Sequence, residues 1–336
     1  MSHSEPRTVV VTGASAGVGR ATALAFARRG WQVALLARQS PGLKSAGEEV
    51  EQAGGAAFAI AADVSDPAAV AAAAERVVER WGGIEVWINC AMATMFAPIA
   101  DISAPEFRRV TEVTYLGYVY GTMTALKHMR RRNNGTIVQV GSALSYRAIP
   151  LQSAYCGAKF AIRGFTDALR SELRHEGSAI RVTMVQLPAV NTPQFDWARN
   201  KMPRRPQPMP PIHQPEGIAE VIFRASQDAP RELWLGTPSL KAILGTMIVP
   251  GWLDRSLARE GYDGQLTSEP KRATAPDNLF QPTPHGHATH GRFDDRALPK
   301  TPAFNPNVVR GILATSAAVL FFTLGGIATY FFLSGV

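Results

Sequence analysis

A regular alternation of short apolar runs and helical patterns is the feature that most constrains the fold of this chain. Six apolar runs precede residue 190, and stretches with helical spacing of apolar residues separate them. Strands joined in this way by helices lie parallel in one sheet, with helices on both faces. We therefore predict an α/β fold with a doubly wound parallel sheet. The predicted strands are Thr8–Thr12, Trp31–Ala37, Ala56–Ala61, Ile84–Asn89, Thr136–Val140, Ile180–Gln186 and, after a helix at Pro215–Ala229, Glu232–Gly236.

Glycines dominate the turn that follows the first strand, which reads T-G-A-S-A-G-V-G before a helical pattern begins. Such a turn lets the backbone approach a pyrophosphate, and the following helix N-terminus presents free amides and a positive dipole end. A glycine-rich turn alone is a weak signal, but a strand before it and a helix after it favour dinucleotide binding. The candidate contacts are Gly13, Ser15, Gly17, Val18 and Gly19.

Arg38 follows the second strand, where NAD-binding sites of this kind usually hold the ribose 2′-hydroxyl with an acidic residue. A guanidinium suits a 2′-phosphate instead. We therefore predict NADP(H) as the cofactor in preference to NAD(H); a solvated loop charge is the other interpretation of Arg38. Asp63 and Val64, after the third strand, are placed to touch an adenine ring, although Asp63 also suits a helix cap.

A hydroxyl, a phenol and an ammonium follow the fifth strand. Ser142 lies at the carboxyl end of that strand, and Tyr155 and Lys159 stand four apart on one face of the next helix. A cation beside Tyr155 would lower its pKa from about 10 and make it an acid/base at neutral pH. Ser142 would donate a hydrogen bond to a substrate oxygen that gains charge. Taken alone, a Tyr-x-x-x-Lys spacing is common and is more typical of an ordinary surface pair on a helix.

Charge and cysteine content exclude some classes of function. The net charge is +8, but the basic residues are scattered, so we do not predict nucleic-acid binding. Cys90 and Cys156 form no disulfide framework and suit a reducing compartment. The polar N-terminus runs directly into a strand, and we expect no signal peptide. His285, His287 and His290 lack a cysteine or acidic partner at metal-binding spacing, so we predict no metal site.

Taken together, these features resemble the short-chain dehydrogenase/reductase family over roughly residues 6–237. The resemblance implies a Rossmann-type fold, an NAD(P)(H) cofactor and hydride exchange between an alcohol and a carbonyl. It also implies a homodimer formed through the helices that flank Tyr155. The motifs that carry it are Thr12-Gly13-x-x-x-Gly17-x-Gly19, Asp63-Val64, Ser142, Tyr155-x-x-x-Lys159 and the segment from Pro188 to Thr192.

The same resemblance implies roles for individual residues. Tyr155 would be the acid/base, Lys159 would lower its pKa and hold the nicotinamide ribose, and Ser142 would orient the substrate oxygen. Asn89 would line the cofactor cleft, and Thr192 would contact the nicotinamide amide.

Three positions depart from the family pattern. The family's Asn-Asn-Ala-Gly reads Asn89-Cys90-Ala91-Met92, so a bulky side chain replaces a glycine. The Pro-Gly turn reads Pro188-Ala189. Thr114 stands where many members carry an asparagine that supports the proton relay. We take Thr114 as a catalytic candidate whose hydroxyl holds a relay water, with a shorter reach and a lower efficiency.

Residues 193–215 are rich in proline and carry several aromatic and methionine side chains. A long irregular segment beside an active site is typical of a lid or binding loop. Its apolar side chains suggest an apolar substrate, and a loop that merely covers the domain is the alternative. The apolar members are Phe195, Trp197, Met202 and Met209.

We divide the chain into a catalytic domain (1–237), a Pro/Gly-rich extension that packs on or links it (238–306) and a membrane anchor (307–336). The apolar stretch Ala242–Leu253 packs on the domain or dips into a membrane interface. Gly311–Val336 carries no charge. At about 1.5 Å per residue it spans about 39 Å, against a hydrocarbon core of about 30 Å. Basic residues precede this segment and none follows it, which favours a cytoplasmic catalytic domain with a single-pass C-terminal anchor.

The sequence thus predicts an NADP(H)-dependent oxidoreductase that interconverts an alcohol and a carbonyl on an apolar substrate. A membrane-tethered NADP(H)-binding scaffold with little catalysis is the alternative, motivated by Thr114 and Met92. Sugar-nucleotide epimerase chemistry shares the Tyr/Lys pair, but no substrate domain for a nucleotide diphosphate is evident.

Overall fold

A computed structural model of the chain describes residues 7–316 and 318. A π-helical turn, Glu112–Leu116, joins two of its helices into one rod. The helices are α1 (Gly17–Ala27), α2 (Pro41–Gln52), α3 (Pro67–Trp81), α4 (Ala104–Thr111), α5 (Gly117–Met129), α6 (Ser153–His175), α7 (Gln194–Trp197), α8 (Pro215–Asp228), α9 (Gly236–Ile248) and α10 (Pro250–Glu260).

The strands form one large sheet and several short ladders. They are β1 (Thr8–Thr12), β2 (Gln32–Ala37), β3 (Ala56–Ala61), β4 (Val86–Asn89), β5 (Met95–Phe96), β6 (Thr136–Ser142), β7 (Arg181–Leu187), β8 (Ala189–Val190), β9 (Arg199–Asn200), β10 (Arg204–Pro206), β11 (Ile212–His213), β12 (Glu232–Leu235), β13 (Leu266–Pro270), β14 (Ala297–Leu298) and β15 (Ala303–Phe304). The large sheet has the order β15-β12-β7-β6-β4-β1-β2-β3.

Local sequence explains where individual elements begin and end. Asp66 caps α3 by accepting hydrogen bonds from the amides of Ala68 and Ala69, and Pro67 occupies the first turn, where its missing N–H costs nothing. Gly82 ends the helix in a left-handed conformation that glycine adopts without steric cost. Ser40 caps α2 in the same way, because its side chain accepts a hydrogen bond from the amide of Leu43.

The core covers both faces of the sheet. Val10 and Leu36 belong to one buried cluster, whereas Val9, Val11 and Leu35 belong to a second cluster on the opposite face, and all five are fully buried. Since successive side chains of a strand point to opposite faces, this alternation requires helices on both sides. The predicted doubly wound sheet is therefore confirmed, with strand bounds within about two residues of the prediction.

The last strand departs from the predicted all-parallel sheet. β15 comes from the extension and pairs antiparallel with β12, with Trp234 opposite Phe304. The predicted apolar stretch 242–253 becomes parts of α9 and α10, which lie against each other and the domain. Arg147 fixes this hairpin, because its guanidinium pairs with Asp254 of α10 at 2.6 Å. The extension thus packs on residues 1–237.

The predicted anchor falls mostly outside the described residues, which end at 316 and 318. Residues 306–316 are helical, and Ile312 and Leu313 on this helix are exposed. Over residues 7–316 and 318, none of the helices combines the length and apolarity needed to cross a bilayer.

Candidate active site

The glycine turn between β1 and α1 packs so closely against neighbouring backbone that a side chain at two of its positions would collide with it. Gly13 has φ of +69°, and a Cβ there would lie 2.7 Å from the Cα of Ala91. A Cβ on Gly19 would lie 2.3 Å from the carbonyl oxygen of Gly13. The hydroxyl of Thr12 accepts hydrogen bonds from the amides of Cys90 and Ala91, at 3.0 and 3.1 Å. This turn and the segment after β4 therefore form one close-packed backbone cradle.

One cavity of about 480 Å³ opens at the carboxyl ends of the strands, next to this cradle. Ligand sites of open α/β sheets lie at this edge. The cavity brings together nearly all the residues that the sequence proposed for the site. Those that line it are Gly13, Ser15, Gly17, Val18, Gly19, Arg38, Asp63, Val64, Ser142, Tyr155, Lys159, Pro188 and Thr192.

Ser142 is the last residue of β6 and is 8% exposed. Its amide donates to the side chain of Gln186 at 2.7 Å, and its hydroxyl oxygen accepts a hydrogen bond from the amide of Leu144 at 3.1 Å. The second contact orients the hydroxyl, which can donate its hydrogen to Tyr155 or to another oxygen in the cavity.

Tyr155 projects from the first turn of α6 into the same cavity. Burial raises the pKa of Tyr155, and hydrogen bonding with Ser142 lowers it only in part. The shift is opposite to the predicted one, because removal of water from the phenolate outweighs favourable contacts. The phenol of Tyr155 is therefore protonated in this arrangement.

Lys159 lies one turn further along α6, and its side chain is buried. Its ammonium donates to the carbonyl of Val140 at 2.8 Å and to the hydroxyl of Tyr118 at 3.1 Å, and it lies 5.6 Å from the ring centre of Tyr155. Burial lowers the pKa of Lys159 to about 7. The ammonium is thus held beneath Tyr155 by neighbours that the sequence analysis did not single out.

Asn89 is a correction to the predicted site. Its side chain is fully buried and donates to Thr122 at 3.1 Å and Gln139 at 3.0 Å, within a polar cluster between β4, β6 and α5. The cavity begins at the next residues, Cys90 and Ala91. Asn89 therefore packs the sheet beneath the site and does not line the cofactor cleft.

Thr114 is a second correction. It lies in the π-helical turn, is fully buried, and does not line the cavity. Its hydroxyl donates to the carbonyl of Ala93 at 2.8 Å and accepts from the amide of Ala93 at 2.9 Å. Because both functions of the hydroxyl are used, the geometry gives Thr114 a role in holding the segment after β4. It does not support the predicted relay water.

Arg38 and Asp63 lie at the far end of the cavity from Tyr155. A hydrogen bond of 2.6 Å from Arg109 holds the pKa of Asp63 below its usual range, although burial opposes this shift. Arg38 donates to the carbonyl oxygens of Asn278 at 2.7 Å and Phe280 at 3.1 Å. Both predicted residues are at the site, and both are engaged by partners that the motifs did not indicate.

The extension supplies much of the remaining wall, which the sequence analysis missed. Its helices α9 and α10 contribute apolar side chains, and residues 278–287 cover the Arg38 end. Tyr118, which also lines the cavity, was missed as well. The extension residues that line the cavity are Pro238, Ser239, Ala242, Leu253, Ser256, Leu257, Gln265, Asn278, Leu279, Pro282, Thr283 and His287.

Comparison with known proteins identifies relatives of the chain. A family model described as short chain dehydrogenase matches residues 7–203. An uncharacterized oxidoreductase of Bacillus subtilis, YxnA, is 28% identical over 324 residues, which cover 93% of this chain and 90% of the relative. The 3-dehydrosphinganine reductase of Danio rerio is 29% identical over 224 residues, which cover 64% of this chain and 67% of the relative.

A solved structure shows the same fold. It is an alcohol dehydrogenase from the archaeon Thermococcus sibiricus in complex with 5-hydroxy-NADP, with a TM-score of 0.59 and 29% identity. The match covers 68% of this chain and 96% of the archaeal chain.

Proposed function

This chain belongs to the short-chain dehydrogenase family, and from that premise we propose that it is an NADP(H)-dependent oxidoreductase that interconverts an alcohol and a carbonyl on an apolar substrate. The resemblance stated from the motifs is thereby confirmed at the level of the family and of oxidoreductase activity. The observation that carries the finer proposal is the shared cavity of Ser142, Tyr155 and Lys159 with the glycine turn.

The residues present fit a dinucleotide. The cradle at Gly13 and Gly19 has no room for a Cβ, and the first turn of α1 carries no acidic residue that would repel a phosphate. The free amides of Val18 and Gly19 at this helix N-terminus would hold the pyrophosphate, Gly17 would shape the turn beside it, and Thr192 would hold the nicotinamide end. When bound, NADP(H) supplies or accepts the hydride.

Tyr155 would donate its phenolic proton to the substrate oxygen in the reductive direction. A raised pKa keeps the phenol protonated, and a buried hydroxyl beside Ser142 is well placed to share a hydrogen bond with the same oxygen. Ser142 would orient that oxygen and stabilise the charge that grows on it. Lys159 would hold the ribose end of the cofactor and would place a positive charge 5.6 Å from the ring centre of Tyr155.

Arg38 supports a preference for NADP(H). It lies at the end of β2 and lines the cavity, and a guanidinium binds a 2′-phosphate with charge-assisted hydrogen bonds. The neighbouring acid, Asp63, is paired with Arg109 and does not offer a free carboxylate to a ribose.

An apolar substrate is supported by the apolar part of the cavity wall. Its members include Leu144, Ile149, Met209 and, from α10, Leu253 and Leu257. Apolar sites with a few placed polar groups are typical of small-molecule binding. The relative named 3-dehydrosphinganine reductase extends the proposal to a long-chain ketone as the substrate class.

A C-terminal membrane anchor with a cytoplasmic catalytic domain remains part of the proposal. The uncharged stretch Gly311–Val336 supports it, because 26 residues in a helix would exceed a hydrocarbon core of about 30 Å. Flotation with lipid vesicles tests it: the full chain should float, and a chain that ends after Arg310, which keeps β15, should not. Recovery of the full chain at the bottom of the gradient would contradict the anchor.

A cofactor-binding scaffold is the second candidate, favoured by Met92 in the cavity wall and by the occupied hydroxyl of Thr114. The two functions differ in one experiment: oxidation of NADPH with a panel of apolar ketones, for the native protein and Tyr155→Phe. An oxidoreductase shows ketone-dependent oxidation that the variant loses by about 100-fold or more. A scaffold binds NADPH and shows no rate that depends on Tyr155.

A further inference from the structure

Residues 277–291, which we call the strap, cross the mouth of the cavity at the Arg38 end. The strap belongs to the extension and contains neither helix nor strand. Five of its side chains line the cavity, so that the strap forms its outer wall. They are Asn278, Leu279, Pro282, Thr283 and His287.

The strap is held by donors of the dinucleotide site. Arg38 donates to the carbonyls of Asn278 and Phe280, at 2.7 and 3.1 Å. The amide of Gly17, at the start of α1, donates to the carbonyl of Ala288 at 2.9 Å. Groups suited to phosphates therefore fasten this segment at both of its ends.

Enough donors remain for a ligand beneath the closed strap. A guanidinium has five N–H bonds, and the strap engages one on each terminal nitrogen of Arg38. Within the part of the chain that the structure describes, the amides of Val18 and Gly19 meet no protein acceptor. The strap thus covers the phosphate-binding region and leaves part of its hydrogen-bonding capacity unused.

Two buried side chains anchor the strap. Leu279 is fully buried in the same core cluster as Val64 and Val113, and Thr283 is 4% exposed. Arg109 adds a hydrogen bond of 3.0 Å to the carbonyl of Leu279. No sheet ladder or helix would have to break on opening. Opening would, however, break the pairing of Asp277 with Arg199, the hydrogen bond from the amide of Asn278 to the carbonyl of Trp197 and the contact of His290 with Glu216, as well as expose the two anchors.

We propose that the strap is a gate over the dinucleotide: it closes on the bound cofactor, and its opening limits how fast the cofactor leaves. This inference rests on the proposed function only in requiring that the site takes a dinucleotide. Leu279 is the main positioning residue, since its side chain pins the strap over the adenosine end.

Hydrogen exchange of the amides in 277–291, measured with and without NADPH, tests the closure. Transfer of tryptophan excitation to NADPH measures binding separately. We expect saturating NADPH to slow exchange in the strap by about tenfold or more. Unchanged exchange at saturation, or faster exchange, would overturn the gate and leave the proposed function standing. Failure of both NADPH and NADH to bind would overturn the proposed function by its own measurement, and the gate with it.

Leu279→Ala tests the control of release, with Leu298→Ala as the matched substitution at a site in the extension that is 47% exposed. In stopped-flow displacement of NADPH by excess NADP⁺, we expect release from Leu279→Ala to be about tenfold faster and release from Leu298→Ala to match the native protein. Leu279→Met, which keeps the volume, should restore slow release. Equal rates in all four proteins would overturn the inference, and the exchange measurement on the native protein decides the matter if Leu279→Ala does not fold.

Discussion

The ammonium of Lys159 donates a hydrogen bond of 3.1 Å to the hydroxyl of Tyr118, and both side chains are buried. Both also donate to the carbonyl of Val140, so that an ammonium, a phenol and a backbone oxygen form a closed triangle. This triangle lies under Tyr155 and sets where the positive charge of the site is held.

Lys159→Met tests the cost of burying that charge. The pKa of Lys159 is lowered from 10.5 to about 7, so between these values the unfolded chain binds a proton that the folded chain lacks. The contribution of Lys159 to stability therefore rises with pH from 7 to 10.5, and its penalty is largest below pH 7. We expect Lys159→Met to be more stable than the native protein at pH 6 by ~1–3 kcal/mol, after the lost hydrogen bonds are subtracted, with the difference shrinking by pH 10.

Thermal unfolding of both proteins from pH 6 to 10 checks this, and a loss of ketone reduction by about 100-fold or more should accompany the gain in stability. A variant less stable at every pH would show that the hydrogen bonds of Lys159 outweigh its desolvation.

Tyr118→Phe removes one acceptor from the Lys159 ammonium and leaves the aromatic packing intact. A hydrogen bond to a charged group is worth ~1.5–3 kcal/mol. We therefore expect kcat to fall by about tenfold with little change in KM. The pH dependence of kcat should also shift. Tyr120→Phe, on the same helix, is the matched control and should match the native enzyme. A change in KM alone would indicate that Tyr118 contributes to binding only.

Arg38→Gln tests the cofactor preference. We expect affinity for NADPH to fall by about 10- to 100-fold, while affinity for NADH changes little, since only NADPH carries the 2′-phosphate. Titration calorimetry with both dinucleotides measures this, and Arg224→Gln, an exposed site on α8, controls for net charge. Equal losses for the two cofactors would assign Arg38 to the strap alone.

Thr114→Val keeps the shape of the side chain and leaves the backbone N–H and C=O of Ala93 without their hydrogen bonds to the Thr114 hydroxyl. We expect a loss of ~1–3 kcal/mol in the free energy of unfolding, measured by urea denaturation, because a buried donor and acceptor lose their partner. A variant of unchanged stability with reduced kcat would instead restore the predicted relay role.

The predicted homodimer has a candidate surface on the helices around Tyr155. Phe160 on α6 and Met123 on α5 are 41% and 62% exposed. Light scattering after size exclusion should give a dimer for the native chain and a monomer for Phe160→Glu, since a buried unpaired charge destabilises an apolar interface. A monomeric native protein would contradict the prediction.

The sheet and most of the site were predictable because their signals are local. Strands such as Ala56–Ala61 and the turn from Gly13 to Gly19 are specified by residues near in the chain. The direction of a side chain is not specified in this way, and Asn89 and Thr114 therefore pointed elsewhere than expected.

The closure of the site was not predictable for a different reason. Arg38 and Asn278 meet although 240 residues separate them, and the contact uses a backbone carbonyl, which any residue provides. The same holds for Gly17 and Ala288. Long-range contacts to main-chain oxygens leave no motif in the sequence.

The antiparallel pairing of β15 with β12 has a consequence for self-association of the protein. An unpaired edge strand exposes N–H and C=O groups that can pair with an extended segment of another molecule. Here Ala303–Phe304, which follow the strap in the sequence, pair with the free edge of β12. A protein truncated before residue 303 would leave this edge of β12 unpaired. We therefore expect such fragments to self-associate even when residues 1–237 are correctly folded.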